Sequence, residues 1–436
     1  MKNKKVMLMG FVSALMLSVL LSPSLVAKSD TSQEEESSRL QSLAKFTKVL
    51  GIVEEYNVDS LGVDQLIDKS LQGLLSNLDA HSNFLDKKSF DSLKSQTDGE
   101  FGGLGITVGM RDNALTVISP IEGTPADKAG IKSGDIILKV NNKSTLGMAI
   151  DDAVVLMRGV PKTPVDLTIV RKGEAEPLKF HIIRQIITVE SVYTRMIDTN
   201  ILYIRVTSFD KKVANDVKVA LQKYAPKSKG IILDLRNNPG GLLEQAVELT
   251  DLFVTKGVIV SQKGRNKNDD TVYSATGKAM MPDIPLVVLV NEGSASASEI
   301  VSGAMQDLKR GIIVGTKTFG KGSVQVVMPI SETEGIKLTI ARYYLPSGRT
   351  IQAVGVIPDV EVDEGEIKKH DNKFNIKEAD LKKHLESELE KTTGMVDVTE
   401  ANATNKTIIT KEQLSKDIQL KEGVGILKAL IISKGK

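Results

Sequence analysis

The spacing of apolar residues along the chain changes from region to region, and each change predicts a different kind of structure. Between residues 39 and 97, apolar side chains recur every three or four positions, which is the period of a helix. From Phe101 to about Ile187 the pattern becomes short β-branched runs separated by turn residues, which predicts a β-rich module. The strands expected there are 116–118, 136–140 and 165–170, and the helices are 125–129 and 149–158.

A third region alternates apolar strands with amphipathic helices. The predicted strands are 201–206, 231–235, 286–290 and 312–314, and the predicted helices are 213–224, 243–253 and 300–308. This rhythm predicts a layered α/β structure. After about residue 363 the chain is dense in Lys and Glu, and apolar residues are sparse. Two amphipathic helices are expected there, one around Leu381, Leu385 and Leu389 and one from Leu414 to Ile432, as a solvated helical extension.

The first 27 residues have the pattern of an export signal. Lys2, Lys4 and Lys5 precede an apolar run from Val6 to Leu21, and small residues follow. A basic start, an apolar stretch and a small-residue exit predict a signal peptide. An uncleaved membrane anchor is the alternative, although the run is short for a full span. The polar and acidic segment 28–38 is predicted to be a disordered tether.

Composition narrows the chemistry. The 436 residues include no cysteine and four histidines, which excludes disulfides, thiolate metal sites and a cysteine nucleophile. Without residues 1–27 the net charge changes from +2 to −1, since 54 basic residues then face 55 acidic ones. No basic stripe with interleaved aromatic residues remains, so nucleic acid is not expected as a partner.

The segment 291–300 is the strongest candidate for chemistry. It joins a buried strand to a helix and carries three serines, Ser294, Ser296 and Ser298. A hydroxyl at such a turn lies beside free amides of the helix N-terminus, which can hold an oxyanion. Helix capping by serine is an equal alternative. Residue chemistry alone does not choose one of the three serines.

A serine nucleophile needs a base, and no histidine lies near this segment. The candidate is Lys321, in a glycine-rich loop after the next strand, because burial can lower the pKa of a lysine. Both segments should meet at the carboxyl ends of the strands. A solvated loop lysine is the alternative.

Three other segments have competing interpretations. The turn that contains Gly240 and Gly241 offers unobstructed amides for an oxyanion hole, or is a simple strand-to-helix turn. Asp79 and His81 form an acid–base couple or, more simply, cap a helix end. The run from Gly315 to Lys321 is a phosphate-loop signature without its final hydroxyl residue, and a strand rather than a helix should follow it.

The glycine-rich turn 102–106 enters a strand of the β-rich module. Successive amides in such a turn can capture a carboxylate, and an edge strand can accept a peptide as an added strand. The helix that contains Met157 would form the other wall of this groove.

Taken together, these motifs resemble those of the C-terminal processing peptidases, or tail-specific proteases, which are serine endopeptidases with a Ser–Lys pair. The resemblance runs from about residue 40 to residue 362. Its motifs occur in family order at 78–82, 101–106, 119–135, 234–241, 293–299, 318–325 and 343–349. Ala80 and Leu345 depart from the usual family residues, and neither is a proposed catalytic group.

The resemblance implies a multidomain α/β protein. Residues 28–97 would be the tether and N-terminal helical region, 98–186 an inserted PDZ domain, 187–362 a crotonase-like α/β protease core, and 363–436 a C-terminal helical extension. It places the nucleophile on Ser296, the base on Lys321 and a lysine-supporting role on Gln325. The amides of Ala297, Gly240 and Gly241 would form the oxyanion hole.

For the PDZ domain the resemblance implies a substrate-binding groove and a regulatory residue. The groove residues would be Gly103, Leu104, Gly105, Ile106 and Met157, and Arg158 would be a relay to the core. The implied substrates are exported polypeptides with apolar free C-termini, cleaved without a metal or cofactor in the bacterial periplasm or at the outer face of the cytoplasmic membrane. An adaptor lipoprotein or a second copy of the chain is a further implied partner. An inactive PDZ adaptor and a phosphate-loop nucleotide hydrolase are the alternative functions.

Overall fold

The structure, a computed structural model, describes residues 27–111, 114–366 and 408–435. It divides into two compact units, one up to Phe84 and one from Leu85 onwards. The predicted export segment 1–27, except for its last residue, and the helix predicted around Leu385 lie outside the described residues. Across the described ranges, no helix is both long enough and apolar enough to cross a membrane.

The first unit is helical, as its apolar spacing predicts. It contains α1 (Ala27–Tyr56) and α2 (Val63–Ser76), and the short strand β1 (Asn83–Leu85) lies at its end. The prediction of a tether over 28–38 is wrong, because α1 runs through this segment. Gln, Glu and Arg are good helix formers, and neither glycine nor proline interrupts residues 28–50.

Asp79 organises the turn that follows α2. Its carboxylate accepts hydrogen bonds from the backbone nitrogens of His81 at 2.7 Å and Ser82 at 2.9 Å, and from the Ser82 hydroxyl at 2.6 Å. This is the local backbone-capping role expected of such an aspartate. The structure therefore shows Asp79 in the capping role, the simpler of its two interpretations.

The second unit begins with α3 (Lys87–Asp98) and the β-rich module. The module contains β2 (Glu100–Gly103), β3 (Ile106–Arg111), β4 (Ala114–Pro120), α4 (Pro125–Lys128), β5 (Ile136–Val140), β6 (Lys143–Ser144), α5 (Ile150–Met157), β7 (Pro164–Val170), β8 (Leu178–Ile183) and β9 (Gln185–Thr188). The sheet has the order β3-β4-β5-β7-β8, with β6 paired to β5, so β3 is an edge strand. Strands β2 and β9 pair with each other where the chain enters and leaves the module.

The α/β region follows. Its elements are β10 (Val192–Ile197), β11 (Ile201–Val206), α6 (Val213–Tyr224), β12 (Gly230–Asp234), α7 (Leu243–Asp251), β13 (Val258–Gly264), β14 (Thr271–Ser274), β15 (Leu286–Val290), α8 (Ala297–Asp307), β16 (Ile312–Gly315), β17 (Ser323–Pro329), β18 (Gly335–Tyr344), β19 (Val360–Glu361), β20 (Ile408–Ile409), α9 (Lys411–Ser415) and α10 (Ile418–Lys434). The 3₁₀ turns Ala225–Lys227 and Lys267–Asp269 lie between them.

The main sheet has the order β19-β16-β15-β12-β11-β10-β20. Strands β11, β12, β15, β16 and β19 run parallel, and β10 is antiparallel to β11. Alternate residues of β12 point to opposite faces: Ile231 and Leu233 pack in the cluster with helices α6, α7 and α8, and Ile232 packs in the cluster with α10. Burial on both faces explains why these strands are continuously apolar.

The C-terminal helix is part of the core. Leu420, Val424 and Leu427 of α10 are buried against the second face of the main sheet, and β20 pairs in parallel with β10. The expectation of a solvated extension is therefore wrong for residues 408–435. The apolar face of the sheet decides the outcome, because it would otherwise be exposed to water.

A second sheet stands beside the main one. In it, β18 pairs with β17 and with β13, which in turn pairs with β14. This sheet packs in the same core as helices α6–α8, through the buried side chains of Val260, Val324 and Tyr343.

Three loops leave the carboxyl ends of adjacent parallel strands. They are residues 235–242 after β12, 291–296 after β15, and 316–322 after β16. Adjacent strand ends bring loops together even when many residues separate them in sequence. The loops are those that carry the predicted oxyanion turn, the three serines and the lysine.

Candidate active site

The three serines of the loop after β15 have different surroundings. The hydroxyl of Ser294 donates to the carbonyl of Leu235 at 2.8 Å, and that of Ser298 donates to the carbonyl of Asn238 at 2.9 Å. Both serines are fully buried. Ser296 is 9% exposed, and its hydroxyl donates no hydrogen bond to any described residue. Ser294 and Ser298 therefore fasten this loop to the loop after β12. The hydroxyl proton of Ser296 is not engaged by any described residue.

The backbone of Ser296 is strained. Its φ of 55° and ψ of −109° lie outside the regions that residues with a side chain prefer. Such strain persists only where surrounding contacts over-determine the conformation, and it is concentrated at functional sites. Here it puts Ser296 immediately before α8, so that its side chain lies beside the free amides of the helix N-terminus.

Glu299 joins the serine loop to the lysine loop. Its Oε2 accepts from the backbone nitrogens of Ser296 and Lys321, each at 2.8 Å. Its Oε1 accepts from the Gly320 nitrogen at 2.7 Å and the Thr318 hydroxyl at 2.6 Å. The carboxylate is fully buried, and four donors compensate its loss of water. Glu299 was not singled out from the sequence, although Ser-x-x-Glu before an apolar helix is a capping-box signal.

The surroundings of Lys321 disfavour the charged form of its amine. Burial lowers the pKa of its amine, and the like charge of Lys337 lowers it further, while the Glu299 carboxylate opposes both effects. Its Nζ forms no hydrogen bond or ion pair within the described part of the chain. A neutral amine is the form that can accept a proton from a hydroxyl.

The loop 350–356 presses against the lysine loop through glycines. A Cβ on Gly322 would lie 2.6 Å from the Gln352 nitrogen, and one on Gly355 would lie 2.6 Å from the Thr318 carbonyl oxygen. The Gly322 nitrogen also donates to Gln352 Oε1 at 3.0 Å. These contacts fix the backbone on both sides of Lys321.

The predicted oxyanion turn abuts the serine. Gly240 has φ of +101°, and a Cβ there would lie 2.9 Å from Ser296 Cβ and 3.0 Å from the Ala297 nitrogen. The Gly240 nitrogen is already engaged, because it donates to Asn238 Oδ1 at 2.9 Å. Among the described residues, neither the Gly241 nitrogen nor the Ala297 nitrogen has a hydrogen-bond acceptor. These two amides are the available donors for an oxyanion, and Gly240 supplies the close approach.

Asn237 and Asn291 hold the two loops in register. The Asn237 nitrogen donates to Asn291 Oδ1 at 2.8 Å, and Asn291 Nδ2 donates to Asn237 Oδ1 at 2.9 Å. Asn237 is in the left-handed region, with φ of 55°. Neither asparagine was singled out from the sequence, because nothing local indicates a pair 54 positions apart.

Gln325 lies on β17 beyond the lysine. Its Nε2 donates to Ser323 Oγ at 2.9 Å and to Thr339 Oγ1 at 3.2 Å. No hydrogen bond between Gln325 and Lys321 occurs among the described residues, so its support of the lysine stays a prediction.

The phosphate-loop alternative is wrong. The loop from Gly315 to Lys321 leads into strand β17, and a phosphate site of this type needs a helix N-terminus at that point. Within the described ranges, no group of three or more His, Cys, Asp or Glu residues could hold a metal ion.

In the β-rich module, the turn before β3 presents two amides. The carbonyls of Leu104 and Gly105 accept from the nitrogens of Ala126 and Ile121, at 3.0 and 2.9 Å. The amides of Leu104 and Gly105 donate to no described residue. Since β3 is an edge strand, the turn combines unpartnered donors with a free strand edge.

The remaining residues predicted for the groove are placed as follows. Gly103 ends β2, and Ile106 begins β3 and packs partly buried on the module core. Met157 is only 6% exposed and belongs to that core together with Leu104. Met157 therefore packs inside the module and anchors α5 to its core.

Arg158 and Arg184 lie at the end of α5. The Arg158 guanidinium stacks 4.3 Å from the centre of the Phe101 ring, and its Nε is buried without a partner in the described structure. Arg184, which the sequence did not indicate, donates to the carbonyls of Met157 at 3.0 Å and Leu156 at 2.9 Å. Arg184 thus satisfies the helix end, and Arg158 connects it to β2.

Two parts of the chain match models of known protein families. Residues 200–362 match the model of peptidase family S41, and residues 116–171 match a PDZ domain. The carboxy-terminal-processing protease of Bartonella bacilliformis is 42% identical over 384 residues, which cover 86% of this chain and 88% of that protein. The carboxy-terminal processing protease CtpA of Bacillus subtilis is 37% identical, covering 73% of this chain and 69% of that protein.

Among solved structures, the photosystem II D1 C-terminal processing protease is similar at 28% identity with a TM-score of 0.43. That match covers 73% of this chain and 92% of that one. The 42% identity to the Bartonella bacilliformis protease, which extends over most of both chains, and the match of residues 200–362 to the peptidase model show that the chain belongs to the carboxy-terminal processing proteases of peptidase family S41.

Proposed function

We propose that this protease cleaves peptide bonds with Ser296 as nucleophile and neutral Lys321 as general base. The observation that carries the proposal is the Glu299 carboxylate, which accepts from the backbone nitrogens of both residues at 2.8 Å. The donating hydroxyls of Ser294 and Ser298 are engaged elsewhere. The lowered pKa of Lys321 supports its role as a base.

In this mechanism the Ser296 hydroxyl transfers its proton to Lys321 Nζ as its oxygen attacks the scissile carbonyl carbon. The carbonyl oxygen becomes an oxyanion, which accepts hydrogen bonds from the amides of Ala297 and Gly241. Lys321 then gives the proton to the leaving amine as the C–N bond breaks. A water molecule, deprotonated by the same amine, releases the acyl group from Ser296 and restores the serine.

We propose that the PDZ groove selects substrates with a free, apolar C-terminus. The amides of Leu104 and Gly105 bind the terminal carboxylate, and the peptide extends along the edge of β3. Ile106 contributes an apolar contact, and Gly103 allows the chain to turn into the groove. Arg158, stacked on Phe101, relays peptide binding from this turn to the core.

We propose that the substrates are exported polypeptides and that the enzyme acts outside the cytoplasm, in the bacterial periplasm or at the outer face of the cytoplasmic membrane. The basic and apolar sequence of residues 1–27 supports this location. The alternative, an inactive PDZ adaptor, does not explain the strained Ser296 backbone or a buried Lys321 amine that has no hydrogen-bond partner among the described residues.

The test is cleavage of an unfolded exported protein with an apolar C-terminus. Ser296→Ala and Lys321→Ala are expected to abolish cleavage. Ser302→Ala is the matched control and should keep cleavage, because the buried Ser302 hydroxyl donates to the carbonyls of Ser298 and Glu299 within α8. Retained cleavage in Ser296→Ala would refute the nucleophile assignment. An Arg158→Ala variant whose rate still rises normally on adding a C-terminal peptide would refute the relay.

A further inference from the structure

A side chain from the C-terminal segment, that of Asp417, binds the loop that carries the predicted oxyanion turn, Gly240 and Gly241. Asp417, the residue before α10, accepts two hydrogen bonds from Arg236. Arg236 Nη1 lies 2.8 Å from its Oδ1, and Arg236 Nη2 lies 2.8 Å from its Oδ2. Arg236 is the second residue after β12 and leads directly into the turn that ends at Gly241.

The other edge of the same guanidinium binds Asp234. Arg236 Nε lies 3.0 Å from Asp234 Oδ1, and Nη2 lies 2.7 Å from Asp234 Oδ2. Asp234 is fully buried and also accepts the Tyr203 hydroxyl at 2.8 Å. Arg236, with a side chain only 12% exposed, is therefore held between two carboxylates on two different parts of the fold.

A guanidinium fixed on both sides has one position. Planar two-point pairing adds geometric specificity that a single charge contact lacks. Burial would lower the pKa of Arg236, but the two carboxylates raise it above its ordinary value, so the group stays charged. Although burial opposes it, Arg236 likewise holds the pKa of Asp417 below its ordinary value.

The backbone after Arg236 needs such a restraint. Asn237 follows it with φ of 55°, a conformation that is unfavourable for a residue with a side chain. Gly241 comes five positions after Arg236 and abuts Phe209 so closely that a Cβ would lie 2.3 Å from its carbonyl oxygen. Only four residues separate Arg236 from Gly241, so a shift at Arg236 would reach the Gly241 amide through a short stretch of backbone.

We propose that Asp417 is a positioning residue for peptide cleavage, which acts through Arg236 to fix the oxyanion turn. The inference rests on the function proposed above, and it makes the C-terminal segment a component of the active site. Asp417 touches no reacting atom. Its effect is on the transition state, in which the oxyanion forms, and not on the capture of the substrate.

The experiment compares the full-length enzyme with Asp417→Asn and Asp417→Ser. Asparagine keeps the shape and loses the charge, and serine keeps the helix cap to the Leu420 nitrogen without reaching Arg236. The substrate is a fluorogenic peptide that has a free apolar C-terminus. Both variants are expected to lose about tenfold in kcat, with KM within about twofold of the wild-type value. This loss is smaller than that caused by removing an oxyanion-hole donor, because the donor is displaced and not deleted. Asp417→Glu is expected to recover a part of kcat.

Lys428→Met is the matched control. Lys428 pairs with Asp198 at 2.7 Å, and this exposed pair also ties α10 to the sheet, but it lies away from the oxyanion turn. Its loss is expected to leave kcat unchanged. A peptide aldehyde, whose adduct with a serine places an oxyanion in the hole, should bind Asp417→Asn weaker by the same factor as the loss in kcat.

The outcomes separate the two proposals. Equal aldehyde affinity in wild type and Asp417→Asn, with kcat per titrated active site unchanged, would overturn the positioning role even if the melting temperature falls. Retained cleavage by Ser296→Ala would overturn the proposed function itself, and the positioning role with it.

Discussion

The backbone nitrogen of Lys321 lies 2.8 Å from the same Glu299 oxygen that accepts the backbone nitrogen of Ser296. Residues 25 positions apart in sequence are thus fastened to one buried acceptor. The contact orients two loops through their backbones, so it leaves the serine hydroxyl and the lysine amine available for chemistry.

Replacing Glu299 with Gln should therefore impair both loops. A carboxamide has one acceptor oxygen, so two of the four donors at this site lose their partner. We expect kcat/KM to fall by about 10²-fold or more, because the reacting groups are displaced, and the free energy of unfolding to fall by about 1–3 kcal/mol. The measurements are steady-state kinetics and denaturant unfolding.

Gln245→Leu is a control for loss of a buried polar contact elsewhere in the core, since its Oε1 accepts the Ala214 nitrogen at 2.9 Å. It should lower stability without a comparable loss in kcat/KM per folded molecule. Wild-type activity in Glu299→Gln would contradict the role of Glu299.

Lys337 should set part of the pH dependence. In the proposed mechanism activity requires neutral Lys321, so kcat/KM should rise with pH through the pKa of this amine, which burial and the positive charge of Lys337 lower. Lys337→Met removes the repulsion, the Lys321 pKa rises, and the acidic limb of the profile moves to higher pH. The check is a pH profile of kcat/KM for wild type and variant.

Lys317, an exposed residue of the lysine loop, gives the matched control, and Lys317→Met should leave the acidic limb in place. A shift to lower pH in Lys337→Met would be the wrong sign and would exclude this electrostatic account.

Gly240→Ala should separate the oxyanion turn from the serine. The new Cβ would lie 2.8 Å from the Ala295 carbonyl oxygen and 2.9 Å from Ser296 Cβ, so one of the two loops must move. We expect a loss of about 10²-fold in kcat, the scale of an ångström-sized misplacement. Gly348→Ala carries the same positive-φ strain with nothing within 4 Å, and should cost stability alone. Similar kcat values for the two variants would show that the contact is unimportant.

Gly105→Ala should weaken carboxylate capture. Gly105 has φ of +76°, and a Cβ would lie 2.3 Å from Thr124 Cβ, so the amides of the turn must rotate. For a peptide with a free C-terminus we expect KM to rise about tenfold, the equivalent of one hydrogen bond. The same peptide with an amidated C-terminus supplies the comparison, and its KM should be nearly the same in both enzymes. An equal rise for both peptides would indicate general damage to the module.

The sequence predicted best those elements that lie in the middle of the main sheet. Strand β11, helix α6 and strand β15 have the predicted bounds, because continuous apolar runs and a helical period have few alternatives in a two-faced core. Strand β18 was not predicted, since several of its residues are half-buried and its apolar and polar positions give no clear period.

The site was predictable where motifs are local. The serine, lysine and glycine loops could be placed at one sheet edge from the order of strands and helices. Glu299, Asn291 and Asp417 could not be given their roles, because each role depends on partners from another loop or from the far end of the chain. Selecting Ser296 from the residues alone failed for the same reason, since the carbonyls of Leu235 and Asn238 engage the other two hydroxyls.

The position of α10 on the main sheet also has a consequence for biosynthesis. Gly230 of β12 lies so close to this helix that a Cβ would come within 2.9 Å of the Leu427 side chain. Residues 418–434 are synthesised after every loop of the candidate active site. The face of the main sheet that α10 covers therefore stays uncovered until these residues are available. The contacts of Arg236 with Asp417 likewise join residues 181 positions apart, so they form only after nearly all of the α/β region has been synthesised.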